Sequence, residues 1–270
     1  REFNVLAAPG YVELIDELVT LSGDRGNTAF VVGDAPARLA NNSTDITNWA
    51  SNANSSASND EDGLVTSDSF TAVYYPWGTS TDLAGNNVFV PPSHMVLRTL
   101  AVNDDVAFPW FAPAGIRRGV VDNATSVGYI KESTGEKQVI AVSQGIRDTL
   151  STNRVNPISF LTGAGLTIFG QKTRHSGTSA LDRVNVARLV VFLRTQLDKL
   201  AQPFIFEPND ELTRNEIKQA VESFLLEVQG QRGLFDFAVV CDETNNTPSR
   251  IDRNELYVDI AIERVKAVEF

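Results

Sequence analysis

The chain has 270 residues, 34 acidic against 23 basic, and a formal net charge of −11, which argues against a general nucleic-acid binder. One cysteine (Cys241) and two histidines (His94, His175) exclude an internal disulfide and a thiolate metal cage, and leave little for a histidine-rich centre. No run reaches the roughly 18 apolar residues of a membrane span, and 42% hydrophobic residues is ordinary for a globular chain.

Charge is uneven. Residues 1–70 carry 11 acids and 3 bases, residues 71–190 carry 8 and 11, and residues 191–270 carry 15 and 9. After Pro9-Gly10, Val12, Ile15 and Val19 follow i, i+3, i+7 and predict an amphipathic helix, with Gly23 as its left-handed cap. Ala29 to Gly33 reads as a short buried strand. Residues 40–69, dominated by Asn, Ser, Asp and Thr, read as a loop-rich surface excursion tacked down at Trp49. Phe70 to Tyr75 is a second strand candidate, ended by Pro76. Ser93 is the expected N-cap of a helix running to about Asn103.

The last hundred residues carry the strongest periodicity. Asp182 is expected to cap a helix whose face is Val186, Leu189, Val190, Leu193, Leu197 and Leu200. Thr213 and Glu216 fit a capping box ahead of a second stripe, Ile217, Ala220, Val221, Phe224, Leu225 and Val228, which Gly230 and Gly233 stop. Strands follow at 234–241 and 256–263. In the second, Leu256, Val258, Ile260 and Ile262 alternate with Tyr257, Asp259, Ala261 and Glu263, giving one apolar face. Two helices and two strands in this order imply an α+β layer packing.

Catalytic signatures are weak. A phosphate loop needs lysine directly after its second glycine, but Gln171 separates Gly170 from Lys172, and Leu166, Ile168 and Phe169 look like a strand ending in a turn. Gly163-Ala164-Gly165 lacks the third glycine of a dinucleotide fingerprint. Asp60-Glu61-Asp62-Gly63 lacks the alternating ligands of a calcium loop and reads as a solvated turn. Ser176 or Ser93 beside His175 or His94 sit in no nucleophile elbow. Cys241 ends a strand as an inert buried thiol, and Asp104-Asp105 read as solvated neighbours pointing apart. Five sequons, at Asn41, Asn42, Asn54, Asn123 and Asn245, match chance in so asparagine-rich a chain. The residues therefore assign no catalytic, cofactor-binding or metal-binding residue, and no cofactor.

Six short motifs in order carry a different signal: Ala72-Val73-Tyr74-Tyr75-Pro76-Trp77, Val90-Pro91-Pro92-Ser93, Phe111-Ala112-Pro113-Ala114-Gly115, Asp182-Arg183-Val184-Asn185-Val186-Ala187-Arg188-Leu189, Phe204-Ile205-Phe206-Glu207-Pro208-Asn209, and Cys241-Asp242 through Asn245-Asn246-Thr247 to Ile251-Asp252. Together, over roughly residues 65–270, with a weaker match at Ala7 to Gly10, they resemble the tail sheath proteins of contractile bacteriophages and the sheaths of contractile injection systems. One departure is Ala187, where family members often carry a first of two arginines.

The resemblance implies a structural protein and not an enzyme. It implies stacked hexameric rings around a tail tube, contraction that drives the tube through the host envelope, and terminal strands exchanged between neighbours. The implied partners are copies of the chain, the tube protein, and baseplate and tail terminator proteins, without direct nucleic-acid contact or membrane insertion. The implied location is the virion tail, assembled in the host cytoplasm.

The expected organisation is multi-domain α+β. A C-terminal mixed sheet packed by two long helices belongs to a conserved sheath core at 111–270. A more irregular, strand-rich outer domain occupies 24–110, and residues 1–23 are the N-terminal part of the core. Arg183, Arg188 and Arg194 on the long helix are candidates for tube or neighbour contacts. The opening at Arg1 and the apolar run 265–270 suggest a trimmed core of a longer protein. Alternatives are a sheath of a bacterial secretion or bacteriocin-like system, or an α/β nucleotide-binding enzyme using Gly163 to Thr173.

Overall fold

The computed structural model describes residues 3–53 and 59–267, so Arg1, the sequon at Asn54 and the last three residues of the 265–270 run lie outside the described residues. The chain runs β1 (Val5–Leu6), α1 (Ile15–Asp24), β2 (Phe30–Asp34), α2 (Ser43–Ala50), β3 (Thr71–Tyr75), β4 (Trp77–Thr81), β5 (Asn87–Val90) and α3 (Pro92–Val106). It continues through α4 (Gly115–Arg118), β6 (Ser126–Ile130), β7 (Lys137–Ile140), α5 (Gln144–Thr152), β8 (Val155–Leu161) and β9 (Gly165–Ile168). The remainder is α6 (Val184–Ala201), α7 (Glu211–Gly230), β10 (Leu234–Val240), α8 (Pro248–Ile251) and β11 (Asp259–Arg264). Two compact units result, Arg1–Val191 and Phe192–Phe270.

The first unit is built on a mixed five-stranded sheet in the order β1-β2-β3-β8-β9. The first four strands are parallel, and β9 turns back antiparallel on β8. Every residue of β2 and β3 is buried, which is why both read as unbroken rather than alternating runs. Helices α1 and α3 pack on β2, and α5 packs on β8. Gly33 matters to this packing: a Cβ there would lie 2.9 Å from Ile15 Cδ1 and 3.1 Å from Val73 Cγ2, so a larger residue would force these buried side chains to shift where α1 closes on β2. A four-stranded antiparallel sheet, β5-β4-β6-β7, completes the unit. The boundaries expected at 23/24 and 110/111 both fall inside this unit, whose main sheet takes β2 and β3 from within 24–110 and β8 and β9 from beyond it.

Local expectations shift by small amounts for physical reasons. Helix α1 runs one residue past Gly23, Ser22 Oγ in its last turn donates to Ala29 O at 2.7 Å, and the left-handed residues are Gly26, at φ 71°, and Asn27, at φ 54°. The 40–69 excursion contains α2, capped by Asn42, whose side chain accepts from Asp45 N at 2.8 Å. Trp49 is buried there and its indole N–H donates to the Asp60 carbonyl at 2.9 Å. Asp182 sits in a 3-10 turn ahead of α6 and pairs with Arg183 at 3.0 Å.

The second unit holds α7 against the antiparallel pair β10–β11. Asp210 caps α7 in place of Thr213, accepting Thr213 N–H at 2.9 Å. Ile217, Val221, Leu225 and Val228 form its buried stripe, as their spacing requires. Arg232, at φ 64°, turns the chain into β10. Phe237 faces Ile262 and Val239 faces Ile260 across the pair. The C-terminal sheet is thus antiparallel and two-stranded. The expectation of a mixed sheet there is corrected, since the mixed sheet belongs to the first unit.

Candidate assembly surface and the motifs behind it

Five of the six motifs are joints of the fold. In the first, the Tyr75 hydroxyl donates to Leu39 O at 3.3 Å and the Trp77 indole N–H donates to Ala35 O at 2.7 Å. In the second, Ser93 is no N-cap: it lies in the first turn of α3, whose N-cap position is Pro91. Its N–H and hydroxyl donate to the Asp34 carboxylate at 2.5 and 2.8 Å, and Gly10 N–H adds a third bond at 2.9 Å. An acid from β2 therefore caps α3 from a distance in sequence, supplying an acceptor that the helix's own N-terminal residues lack. Burial raises the Asp34 pKa, against the pull of those three donors.

The long-helix motif locks α6 to the loop after α3. Asn185 Nδ2 donates to Trp110 O at 3.3 Å, and Arg188 reaches Asp104. In the next motif, Asn209 Nδ2 donates to Glu255 O at 3.0 Å, and its side-chain oxygen accepts from Arg214 at 3.0 Å. Phe206 in the same motif is held at φ 77° with its ring fully in solvent.

The last motif shapes the connection between β10 and β11. Asp242 accepts from Thr244 N at 2.8 Å, and Asn245 Nδ2 reaches Val240 O at 2.8 Å and Asp259 Oδ2 at 3.1 Å. Asn246, 1% exposed, pairs twice with the Tyr257 backbone, at 2.7 and 2.9 Å. The Arg250 guanidinium lies 3.9 Å from the centre of the Tyr257 ring. These asparagines replace ladder hydrogen bonds where the chain leaves the sheet, so the Asn245 sequon reads as buried structure. A groove of about 420 Å³ beside them is lined by Glu211, Arg214, Cys241 and Asp242. Burial pushes the Cys241 thiol up, away from reactivity.

What the second unit leaves in solvent is apolar as well as charged. Phe206, Leu212, Leu226 and Phe235 are exposed, and Ile262 and Val265 on and after β11 are partly so. The pair β10–β11 has no further strand among the described residues, so its edges present unpaired backbone groups.

The chemistry-bearing candidates lie apart. His175 Nδ1 meets Ser69 Oγ at 2.8 Å, not Ser176. Gly163 to Ile168 forms the β8–β9 hairpin, and the Lys172 ammonium donates to Ser151 O at 2.9 Å, so no glycine loop opens a helix over a phosphate. That corrects the nucleotide-binding alternative. Asp104 is paired rather than solvated, and Asp60 is buried rather than part of a solvated turn. Sequence reasoning missed Asp34, and it named Asp60 and Asn246 without their partners, which are set by packing across the fold.

Residues 176–270 match the phage tail sheath C-terminal domain family. The chain is 34% identical over 184 residues to the tail sheath protein of Vibrio phage KVP40 and 32% identical over 184 residues to that of Enterobacteria phage T4. Residues 176–270 belong to the phage tail sheath C-terminal domain family. Each alignment covers 68% of this chain but 26% of the relative, so the chain spans about a quarter of their length. Its fold is that of the sheath of an extracellular contractile injection system, PVC, in the contracted state, with a TM-score of 0.79 at 23% identity over 100% of this chain and 69% of that one.

Within this sheath chain the three candidate arginines separate. Arg188 is 2% exposed and its guanidinium lies 2.5 Å from Asp104, so it presents nothing to a tube or a neighbour. Its expected contact role is corrected for that reason. Arg183 is held by Asp182 and is a quarter exposed. Arg194 is exposed on α6.

Proposed function

We propose that the chain is the core of a structural subunit of a contractile phage tail sheath. In this reading subunits polymerise as stacked hexameric rings around a tail tube and move as rigid bodies between two packings, driving the tube through the host envelope. The observation that supports it is the β10–β11 pair: two strands with open edges and half-exposed apolar side chains beside α7. Alone, such an edge invites misassembly; a strand from another copy would complete it by main-chain pairing.

The partners are then copies of the chain, the tube protein, and baseplate and tail terminator proteins, and the location is the virion tail after assembly in the host cytoplasm. Residues 24–110, apart from the buried strands β2 and β3, would face outward as a protruding region, and no residue is assigned a catalytic, cofactor or metal role. The second reading is a sheath of a bacterial contractile system. Identity of 34% and 32% over 184 residues to phage sheath proteins supports the phage reading.

Electron microscopy of the full-length parent protein tests this. Tubes or contracted polysheaths are expected. A protein that stays monomeric at high concentration, with and without the tube protein, overturns the reading.

A further inference from the structure

The Thr66 hydroxyl lies between two carboxylates. Its Oγ is 2.6 Å from Asp60 Oδ2 and is also hydrogen-bonded to Asp16 Oδ1 on α1. Asp60 Oδ1 is separately engaged, accepting the N–H groups of Val65 at 2.8 Å and Thr66 at 2.9 Å. A threonine hydroxyl has one proton, and an ionised carboxylate only accepts. One proton cannot be centred on two short contacts at once, so a full hydrogen bond to each carboxylate needs a second proton, carried by one of the two acids.

Burial decides which. Asp60 is 1% exposed, whereas Asp16 lies in the exposed class on α1. We propose that Asp60 keeps the proton and donates it to Thr66 Oγ, which in turn donates to ionised Asp16, forming a proton-dependent latch between the 59–66 loop and α1. The latch also places α2, because the Trp49 indole N–H bonds the Asp60 carbonyl.

The surrounding charges are few. Glu17 on α1 and Glu13 in the turn just before it flank Asp16 and are exposed, and in the loop so are Glu61 and Asp62. From the segment after β9, Arg174 interacts with Asp60, and Arg154 opposes Arg174. The Arg174 guanidinium is held by the carbonyls of Thr66 at 3.1 Å and Asn153 at 2.8 Å, and offers ionised Asp60 a counter-charge. Desolvation is the largest influence on Asp60 and raises its pKa above the ordinary 3.8; the negative charge of Asp16 adds to the rise. A folded-state value above the unfolded one means the latch stabilises fully below the unfolded pKa and is lost as pH rises through the folded value.

The test is a carboxyl-carbon NMR titration of Asp60, with thermal midpoints of wild type, Asp60→Asn and Asp16→Asn between about pH 4 and pH 8. Asparagine at 60 donates to Thr66 without a titrating proton. Asparagine at 16 donates to Thr66 Oγ and frees its hydroxyl for ionised Asp60. The expected result is an Asp60 titration above 3.8, a wild-type midpoint that falls as pH rises through it, and loss of that step in both variants. An Asp60 carboxyl that titrates at or below 3.8, or a step that survives in either variant, overturns the latch. The wild-type titration decides the matter even if a variant fails to fold. The latch does not depend on the sheath reading, and its failure leaves that reading untouched.

Discussion

Arg188 Nη2 lies 2.5 Å from Asp104 Oδ2, joining α6 to the last turns of α3, while Arg188 Nη1 and Asp104 Oδ1 are buried without a partner. Asn103 Oδ1 and Asn185 Oδ1, on the same two helices, are also unpartnered, so the seam is polar and incompletely satisfied. Removing the acid leaves a guanidinium 2% exposed without its counter-ion. Asp104→Ala should cost about 2–4 kcal/mol, below the limit for a fully buried pair because the acid is partly hydrated. Arg188→Met, which replaces the charge by a chain of similar volume, should cost less. Urea unfolding of both variants checks the order.

Asp34 should matter more than the serine it holds. Asp34→Ala orphans the N–H groups of Gly10 and Ser93, at about 1–3 kcal/mol each, whereas Ser93→Ala removes one hydroxyl bond worth about 1 kcal/mol. Paired thermal melts would show the acid variant losing at least twice as much. Equal losses would mean the serine, and not the acid, organises the start of α3.

Asn246 holds the β10–β11 connection through two bonds to the Tyr257 backbone. Asn246→Ala should destabilise by about 2–4 kcal/mol, since it leaves the Tyr257 N–H and C=O without this partner. Hydrogen exchange should rise first at Tyr257 and along β11, with β2 and β3 unaffected.

Phe206 has its ring in solvent at 101% exposure and its backbone at φ 77°. The left-handed conformation costs a non-glycine residue about 1–2 kcal/mol, and an exposed ring recovers none of it by burial. Phe206→Gly should therefore stabilise the chain by up to about 1 kcal/mol, after the added flexibility of glycine, and raise its thermal midpoint. A drop in the midpoint would show that the ring contributes packing.

Asp210 gives a pH dependence of the ordinary acidic kind. Hydrogen bonds from Thr213 hold its carboxyl below the usual 3.8. Its contribution is present above the unfolded-state pKa and disappears as pH falls through the lower folded value. Asp210→Ala should narrow the difference in stability between pH 7 and acid, and Asp210→Ser should restore the cap without the pH slope. Acid titrations followed by circular dichroism would separate the three.

The stripe Ile217, Val221, Leu225, Val228 was readable because a helix one residue deep against a sheet repeats every three to four positions whatever lies opposite. The same logic placed β2 and β3, whose unbroken apolar runs require burial on both faces. It failed at Asp60 and Asp104, which look like solvated acids by their neighbours in sequence. Their partners, Thr66 and Asp16 for one and Arg188 for the other, are set by packing. It also failed at the C-terminal sheet, because alternation at 256–263 shows a strand face but not the direction of its neighbour.

Composition and periodicity by themselves determined an acidic α+β chain without disulfide or histidine chemistry, and six ordered motifs pointed to the sheath family. Those signals are local: spacing along a helix, burial of a strand, the order of short words. Only the tertiary structure decided what the motifs are for, because Ser93 finds Asp34, Asn246 finds Tyr257 and Arg188 finds Asp104 across the fold. It also turned the net charge of −11 into particulars. Asp34 is a buried strut, Asp60 has the burial and neighbours to hold a proton, and the other acids among the described residues are at least partly exposed.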